Sequence, residues 1–337
     1  MNGFREPRAV DPALPATRGP LSAGLVEALR TGDLSALARP GSDTDLDPYG
    51  EDLQLSLYVL YELHYQGFVG VHEDWEWDPD LLALRRELER RFLAVLRAQT
   101  PGGTDVAATL SDLSVEPTGQ DPSSVSHFLQ TEGTFEQLRE YAALRSLYHL
   151  KEADPHAWVL PRLYGRAKAA MVAVEYDEFG AGRSEDVHAR LFADLMRDLG
   201  LETAYGHYLD AAPAPVLATV NLMSLLGLHR SLRGALVGHF AAVEITSPPG
   251  SRRLARAMRR LGAGSAAQRF YDEHVEADAV HEQVVRRDVV GGLLEHEPHL
   301  APDVVFGVAA TDLLEGRLAR HVLDAWRADR SALRERL

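Results

Sequence analysis

Apolar residues recur at steps of three and four along most of the 337-residue chain, and strand-like alternation is nearly absent. The pattern is clearest over residues 51–65, 79–98 and 134–150. This spacing places apolar side chains on one face of a helix. The sequence therefore predicts an all-α protein in which the helices from residue 134 onward form one continuous core. The earlier helices are expected to pack on that core.

Local signals mark several helix ends. Thr134 and Gln137 have the spacing of a capping box, and Asp154 followed by Pro155 reads as an N-cap with proline at the first helical position. Ser184 is predicted to cap a helix that ends at Gly200. The run 247–250, Ser-Pro-Pro-Gly, is predicted to end a helix that begins near residue 231, because proline breaks helical hydrogen bonding. Two later helices are expected over about 266–294 and 302–326.

The chain is predicted to divide into three parts. Residues 1–45 form a Pro-rich N-terminal arm, residues 46–104 form N-terminal helices packed on the core, and residues 105–337 form the helical core. The second boundary rests on the segment Pro101–Thr104, which contains two glycines. The N-terminus lacks the apolar stretch of a signal peptide. No run approaches the roughly 18 apolar residues of a membrane span.

Charge and cysteine content restrict the possible functions. Asp and Glu outnumber Lys and Arg by 50 to 35, and there is no cysteine. With a net charge of −15 and no basic stripe, nucleic acid and anionic membranes are not expected as partners. Lack of cysteine excludes disulfides, thiolate nucleophiles and cysteine-ligated clusters, and it fits a cytoplasmic protein. Any metal must be held by His, Asp and Glu.

The strongest local motif is a set of three metal-ligand residues, His274, Asp278 and His281, at steps of four and three. In a helix, all three side chains fall on one face. That face continues with Phe270 and Val285, so it is predicted to point inward. Two imidazoles and a carboxylate on a buried face are costly unless something satisfies them, and a divalent metal does so. The alternatives are a solvated helix face and a hydrogen-bonded core network.

Other helices supply similar side chains at apolar faces. Four further segments each place one ligand-type residue there: Glu152, Glu178, His188 and Glu244. Together with the trio, they make seven oxygen and nitrogen ligands, too many for one small ion and suitable for two. Inward Glu and His side chains of neighbouring helices hold paired irons in helical bundles. Glu175, one turn before Glu178, is the alternative ligand on its helix. His239 shares a predicted helix with Glu244 but matches its face poorly. Four other histidines are interpreted as structural or surface residues: His149, His156, His207 and His229.

The motifs around these residues resemble those of the heme-oxygenase-like diiron oxidases, also described as iron-containing redox enzymes. The resemblance covers about residues 46–330. It rests on four segments: Leu150–His156, Val174–Gly180, Glu244–Pro249 and His274–His281. Carried over position by position, it implies the metal ligands Glu152, Glu178, His188, Glu244, His274, Asp278 and His281. The spacing of ten residues between Glu178 and His188 resembles the family pattern and differs from the Glu-x-x-His of ferritin-type sites. The extra carboxylate, Glu244, resembles the arrangement in the N-oxygenating members.

The resemblance implies a heme-oxygenase-like helical bundle that binds two Fe ions and no heme. It further implies reaction of the ferrous site with O₂ to a peroxo-diiron(III) intermediate, with electrons from an external donor. The substrate would be a small amine or amino acid, oxidised by N-oxygenation, desaturation or C–C cleavage. The ligands are shared among these activities, so they do not choose between them.

Several interpretations stay open at this point. Arg183 could pair with a substrate carboxylate or cap a helix C-terminus. The protein could be a non-catalytic iron-binding protein for storage or sensing, or a purely structural helical protein whose inward acids and histidines bond to one another. The N-terminal helices could form a lid or the surface of a homodimer.

Overall fold

The computed structural model describes residues 12–37, 46–115 and 121–337, apart from the side chains of residues 36 and 276–280. Within these ranges the chain is helical with no strand, which confirms the all-α prediction. The helices are α1 (Pro20–Thr31), α2 (Glu51–Glu62), α3 (Pro79–Gln99), α4 (Val106–Leu113), α5 (Val125–Thr131), α6 (Phe135–His149), α7 (Asp154–Ala157), α8 (Gly165–Glu178), α9 (His188–Asp198), α10 (Ala214–Leu228), α11 (Arg233–Leu261), α12 (Ser265–Val284), α13 (Gly291–His296) and α14 (Ala301–Arg327). No described helix is both long and apolar enough to cross a lipid bilayer.

Helix α1 lies inside the segment that the sequence predicted to be an arm. Its Pro20 occupies the first turn, and its apolar residues Leu21, Leu25 and Leu29 are buried at helical spacing. The Asp52 carboxylate of α2 accepts hydrogen bonds from the backbone amides of Leu21 and Ser22, at 2.9 and 2.7 Å. These amides have no partner within the helix, so a neighbouring helix caps α1. The Pro-rich composition had concealed this short amphipathic helix.

The predicted helix end at residues 247–250 is wrong. Helix α11 continues through Pro248 and Pro249 to Leu261. The two prolines lack the amide hydrogens that would bond to the carbonyls of Glu244 and Ile245. Packing of α11 against α12, α14 and α5 outweighs this local loss. The continuous helix places Glu244 in mid-helix, directly before the turn in which the two prolines remove hydrogen bonds.

Glycines let α11 and α14 touch through their backbones. A Cβ on Gly238 would overlap the carbonyl of Val304, and a Cβ on Gly307 would overlap the carbonyl of Ala235. Each helix therefore offers a glycine where the other helix's backbone passes. This contact, here called the glycine seam, holds the backbones of α11 and α14 close together.

Two of the predicted helix starts differ from the structure, and one agrees. Thr134 forms the predicted capping box with Gln137. The short α7 has Ala153 as its N-cap, whereas the sequence indicated Asp154. Ser184 begins a single 3₁₀ turn, and α9 starts only at His188.

The long helix predicted over 266–294 is found as α12, one π-helical turn over Val285–Val290, and α13. π turns inside helices occur often at functional sites.

Candidate metal centre

Six of the seven predicted ligands come together as two buried groups of three. Ligand atoms of Glu152, His188 and His274 all lie within 4.8 Å of one another, and so do those of Glu178, Glu244 and His281. They are here called the first and second groups. Helix α12 contributes a histidine to each. The seventh predicted ligand, Asp278, has a side chain outside the described residues, so its ligand role stays a prediction.

Glu152 is placed by an unusual backbone turn. Helix α6 ends at His149, and four residues later Ala153 adopts φ 75° and ψ −36° with its side chain buried. A non-glycine residue at positive φ is strained by about 1–3 kcal/mol, and such strain is common at functional sites. The turn directs the Glu152 side chain into the bundle, where its residue is 8% exposed.

The chain reverses sharply between Glu178 and His188. Gly180, Ala181 and Gly182 all have positive φ, at 75°, 51° and 83°. A Cβ on Gly180 would come within 2.6 Å of the Val187 nitrogen, so this close turn requires glycine. As a result, His188 Nδ1 lies 2.7 Å from Glu178 Oε2, which links the two groups. The ten-residue spacing is therefore compatible with one centre.

The imidazole of His274 is oriented by its own helix. Its Nδ1–H donates to the carbonyl of Phe270 at 2.7 Å. Because a carbonyl only accepts, Nδ1 must carry a proton. Nε2 then faces the first group, 3.7 Å from Glu152 Oε1, where a metal ion would bind it. A histidine held by a backbone carbonyl through its second nitrogen is the usual arrangement of a metal ligand.

His281 is oriented by Asp177, a residue that the sequence analysis did not single out. Its Nε2 lies 3.1 Å from Asp177 Oδ2. Its Nδ1 faces the second group, 3.3 Å from Glu244 Oε2 and 3.9 Å from Glu178 Oε1. A carboxylate behind a ligand histidine is typical of metal sites. The only sequence signal for this role of Asp177 was its position directly before the predicted ligand Glu178.

His149 was interpreted as structural or surface, yet it contacts a predicted ligand. Its Nδ1 lies 3.0 Å from Glu152 Oε1. Burial lowers the pKa of His149, so the ring is neutral at pH 7 and its Nδ1–H donates a hydrogen bond to the carboxylate. Glu152 Oε2 is buried and has no hydrogen-bond partner in the described part of the protein. A buried carboxylate oxygen in this position is costly unless it binds a cation.

Glu175 was the alternative to Glu178, but the structure places Glu178 in the second group. The Glu175 side chain is buried next to that group, and both of its oxygens lack a hydrogen-bond partner among the described residues. Burial, followed by the negative charges of Glu178 and Glu244, raises the pKa of Glu175 to about 9. Glu175 is therefore a neutral acid at pH 7 beside the candidate ligands.

The histidines of the two groups respond to the concentrated negative charge. Burial lowers the pKa of His281, but hydrogen bonding and attraction to Glu244 outweigh this effect and raise it to about 9. The pKa of His188 is raised in the same way, against the effect of burial, by Glu178. The pKa of Glu152 is lowered despite burial by His149 and His274. The centre is thus built to attract positive charge.

A cavity of about 480 Å³ reaches both groups. Its wall includes Glu152 and His274 from the first group and Glu178 and Glu244 from the second. Arg183 does not line it. That arginine is exposed and lies 2.5 Å from Asp186, so a ligand in the cavity has no contact with Arg183.

The donor set fits a first-row divalent metal. Imidazole nitrogens and carboxylate oxygens, without sulfur, suit Fe(II) among such ions. The six residues are buried, and Glu152 Oε2 is an orphaned acceptor that an ion would satisfy. Two ions, one in each group, match the count of ligands. The chemistry of the site therefore agrees with a paired metal centre as found in helical bundles.

The comparison with known families agrees with this chemistry. The model of the iron-containing redox enzyme family matches residues 139–316, slightly more than half of the chain. The match includes every residue of both groups. No curated protein matches the sequence significantly. The chain therefore belongs to the iron-containing redox enzyme family, whose members are heme-oxygenase-like helical proteins, as the resemblance of its motifs predicted.

Proposed function

We propose that this iron-dependent oxidoreductase is a non-heme diiron oxidase or oxygenase that activates O₂ and acts on a small amine or amino acid. The observation that carries the proposal is the pair of buried groups, Glu152 with His188 and His274, and Glu178 with Glu244 and His281. Two ferrous ions held there would supply the electrons that reduce O₂. A complete cycle needs further electrons from an external donor.

The protein's own residues would hold and tune the ions. The carbonyl of Phe270 and the carboxylate of Asp177 fix the rings of His274 and His281 for metal binding. His149 holds Glu152 through one oxygen and leaves the other available. Three carboxylates would balance the added charge of oxidised ions, and the imidazoles, neutral once they had lost their protons to bind metal, would keep the site reducible. No heme is included in the proposal, because this acidic donor set suits separate cations.

The cavity wall supports an amine-type substrate. Arg145 is the one Lys or Arg among its described lining residues, and it donates to both oxygens of Glu315 at 2.9 and 3.1 Å. The carboxylates of Asp121 and Asp312 also line the wall. Once Arg145 and Glu315 neutralise each other, the remaining charge is negative and favours a cationic group. The ion pair offers both signs, as an amino acid would require.

The first test loads the full-length protein anaerobically with Fe(II), then adds O₂ while iron content, optical absorption and O₂ uptake are measured. We expect about two irons per chain, a transient visible absorption and O₂ uptake that an amine or amino acid accelerates. Glu178→Ala should lose iron from the second group. Glu282→Gln is the matched control, since this residue lies on the same helix as His281 but pairs with Arg286 at 3.0 Å.

The outcomes separate the competing functions. Iron binding without O₂ uptake would favour the alternative, a non-catalytic protein for iron storage or sensing. Absence of iron binding would return the acids and histidines to a structural role and overturn both. Equal iron content in Glu178→Ala and Glu282→Gln would contradict the assignment of the second group.

A further inference from the structure

We propose that His156 is a positioning residue of the cavity, which accepts a hydrogen bond from an N–H group of the substrate through Nδ1. Its tautomer is set by a buried series of hydrogen bonds that runs from His156 through His239 to Thr311, here called the histidine chain. The inference rests on the proposed function, because it assigns the contact that orients the substrate nitrogen. None of these three residues belongs to the two metal groups.

The chain joins three elements by short contacts. His156 Nε2 lies 3.1 Å from His239 Nε2, and His239 Nδ1 lies 2.8 Å from Thr311 Oγ1. The hydroxyl of Thr311 also contacts the carbonyl of Gly307 at 2.7 Å. Both imidazoles are almost fully buried, with 2% and 1% of each residue exposed. Such networks are ordered by the direction of their hydrogen bonds.

The direction of every bond follows from the last acceptor. The Gly307 carbonyl cannot donate, so the Thr311 hydroxyl uses its one proton there and accepts from His239. The proton of His239 is therefore on Nδ1, and its Nε2 is an acceptor. The contact between the two imidazoles then requires a proton on Nε2 of His156. Nδ1 of His156 is left with a lone pair.

Both rings are neutral at physiological pH. Burial, followed by the proximity of His239, lowers the pKa of His156 to about 3. Burial likewise lowers the pKa of His239 to about 4. A neutral ring cannot protonate on Nδ1 without cost, so His156 offers an acceptor and no second donor. This chemistry selects a ligand with an N–H or O–H group.

The position of His156 connects this acceptor to the candidate centre. His156 lines the same cavity as Glu152, four residues earlier, and the strained turn at Ala153 lies between them. Tyr148 and Phe240 contact the ring from the sides, with centroids 6.1 and 5.1 Å away. The ring is thus held in place beside the first group. A substrate nitrogen that donates a hydrogen bond to His156 would be held next to the metal ligands.

The first experiment determines the tautomers. Long-range ¹H–¹⁵N correlation spectra of the full-length protein, labelled on histidine, would be recorded both metal-free and loaded with diamagnetic Zn(II). We expect His156 protonated on Nε2 and His239 protonated on Nδ1. Thr311→Val removes the terminal acceptor and should give mixed tautomers at both rings, whereas Thr311→Ser should restore the wild-type pattern. Protonation of His156 on Nδ1 in the wild type would overturn the proposal.

The second experiment tests the acceptor with two cations of equal charge. Methylammonium has N–H donors, and tetramethylammonium has none. Methylammonium should move the His156 Nδ1 resonance in the wild type and in Thr311→Ser. It should bind about two- to tenfold more weakly to Thr311→Val, because mixed tautomers weaken or remove one hydrogen bond. No shift, or equal shifts with both cations, would overturn the proposal. Neither readout requires O₂ chemistry, so a failure of the proposed function is recognised separately by absent O₂ uptake.

Discussion

Lys151 Nζ lies 2.9 Å from Glu62 Oε2, and each of the two side chains is 1% exposed. Tyr205 donates its hydroxyl proton to the other oxygen of Glu62 at 2.8 Å. The ammonium also lies over the ring of Tyr65, 4.3 Å from the centroid. Because Lys151 directly precedes Glu152, this buried pair connects helix α2 of the N-terminal region to the first metal group.

Removal of either partner should destabilise the protein strongly. Glu62→Leu leaves a buried ammonium, and Lys151→Met leaves a buried carboxylate, each at a cost of about 3–5 kcal/mol. The double variant should cost much less than the sum. Urea unfolding measures all three, and Glu27→Gln in the exposed pair with Arg30 is the control, expected within about 0.5 kcal/mol of wild type. Additive losses would show that the pair does not interact.

Asp177→Asn should weaken metal binding without removing a ligand. The carboxylate behind His281 raises the basicity of that ring, and loss of such a partner reduces metal affinity by about 10–100-fold. Titration with Fe(II) under anaerobic conditions should show one weakened site and one unchanged site. Asp272→Asn on α12, where the exposed Asp272 pairs with Arg259, should leave both sites unchanged. Weakening by both variants would indicate a general charge effect.

His274→Ala and His281→Ala should each remove one ion, but from different groups. His274 belongs with Glu152 and His188, whereas His281 belongs with Glu178 and Glu244. Iron content should fall from about two to about one per chain in either variant, and to near zero in the double variant. Retention of full iron content in a single variant would show that its histidine is not a ligand.

The metal-free protein should lose stability in acid because of the buried histidine chain. Folding lowers the pKa of His239 from 6.5 to about 4, so the unfolded state binds the proton more readily. This contribution is fully present above pH 6.5 and is lost as the pH falls toward 4. For His239 alone the loss between pH 7 and 5 is about 2 kcal/mol. Chemical unfolding at both pH values should show a smaller loss in His239→Gln; an equal loss would mean that this ring is not the cause.

The helical periodicity and six of the inward side chains could be found from the sequence, because both follow from the 3.6-residue repeat. The continuation of α11 through Pro248 could not, since packing against other helices decides it. Asp177 and His149 were missed because they contact the predicted ligands from behind, and no spacing rule marks such residues. Lys151 and Glu62 lie 89 residues apart, so only the folded chain shows their pairing.

Gly238→Ala should be among the most destabilising small substitutions in the protein. The added methyl group would overlap the Val304 carbonyl in the glycine seam, and this backbone atom cannot move aside easily. The expected cost is about 3 kcal/mol or more by urea unfolding. Gly316→Ala in α14 is the control: a Cβ there meets nothing within 4 Å, so alanine should be neutral or stabilise by up to about 1 kcal/mol. A mild effect at Gly238 would mean that the two helices can separate without loss.

The glycine seam also limits which substitutions this region of the protein can accept. Gly238 and Gly307 lie next to His239 and one turn before Thr311, so the two backbones that touch are the same ones that carry the hydrogen-bonded pair. Widening the gap by one methyl group would also stretch the contact between His239 and Thr311. The close packing that stabilises the bundle therefore also maintains the distance between His239 and Thr311.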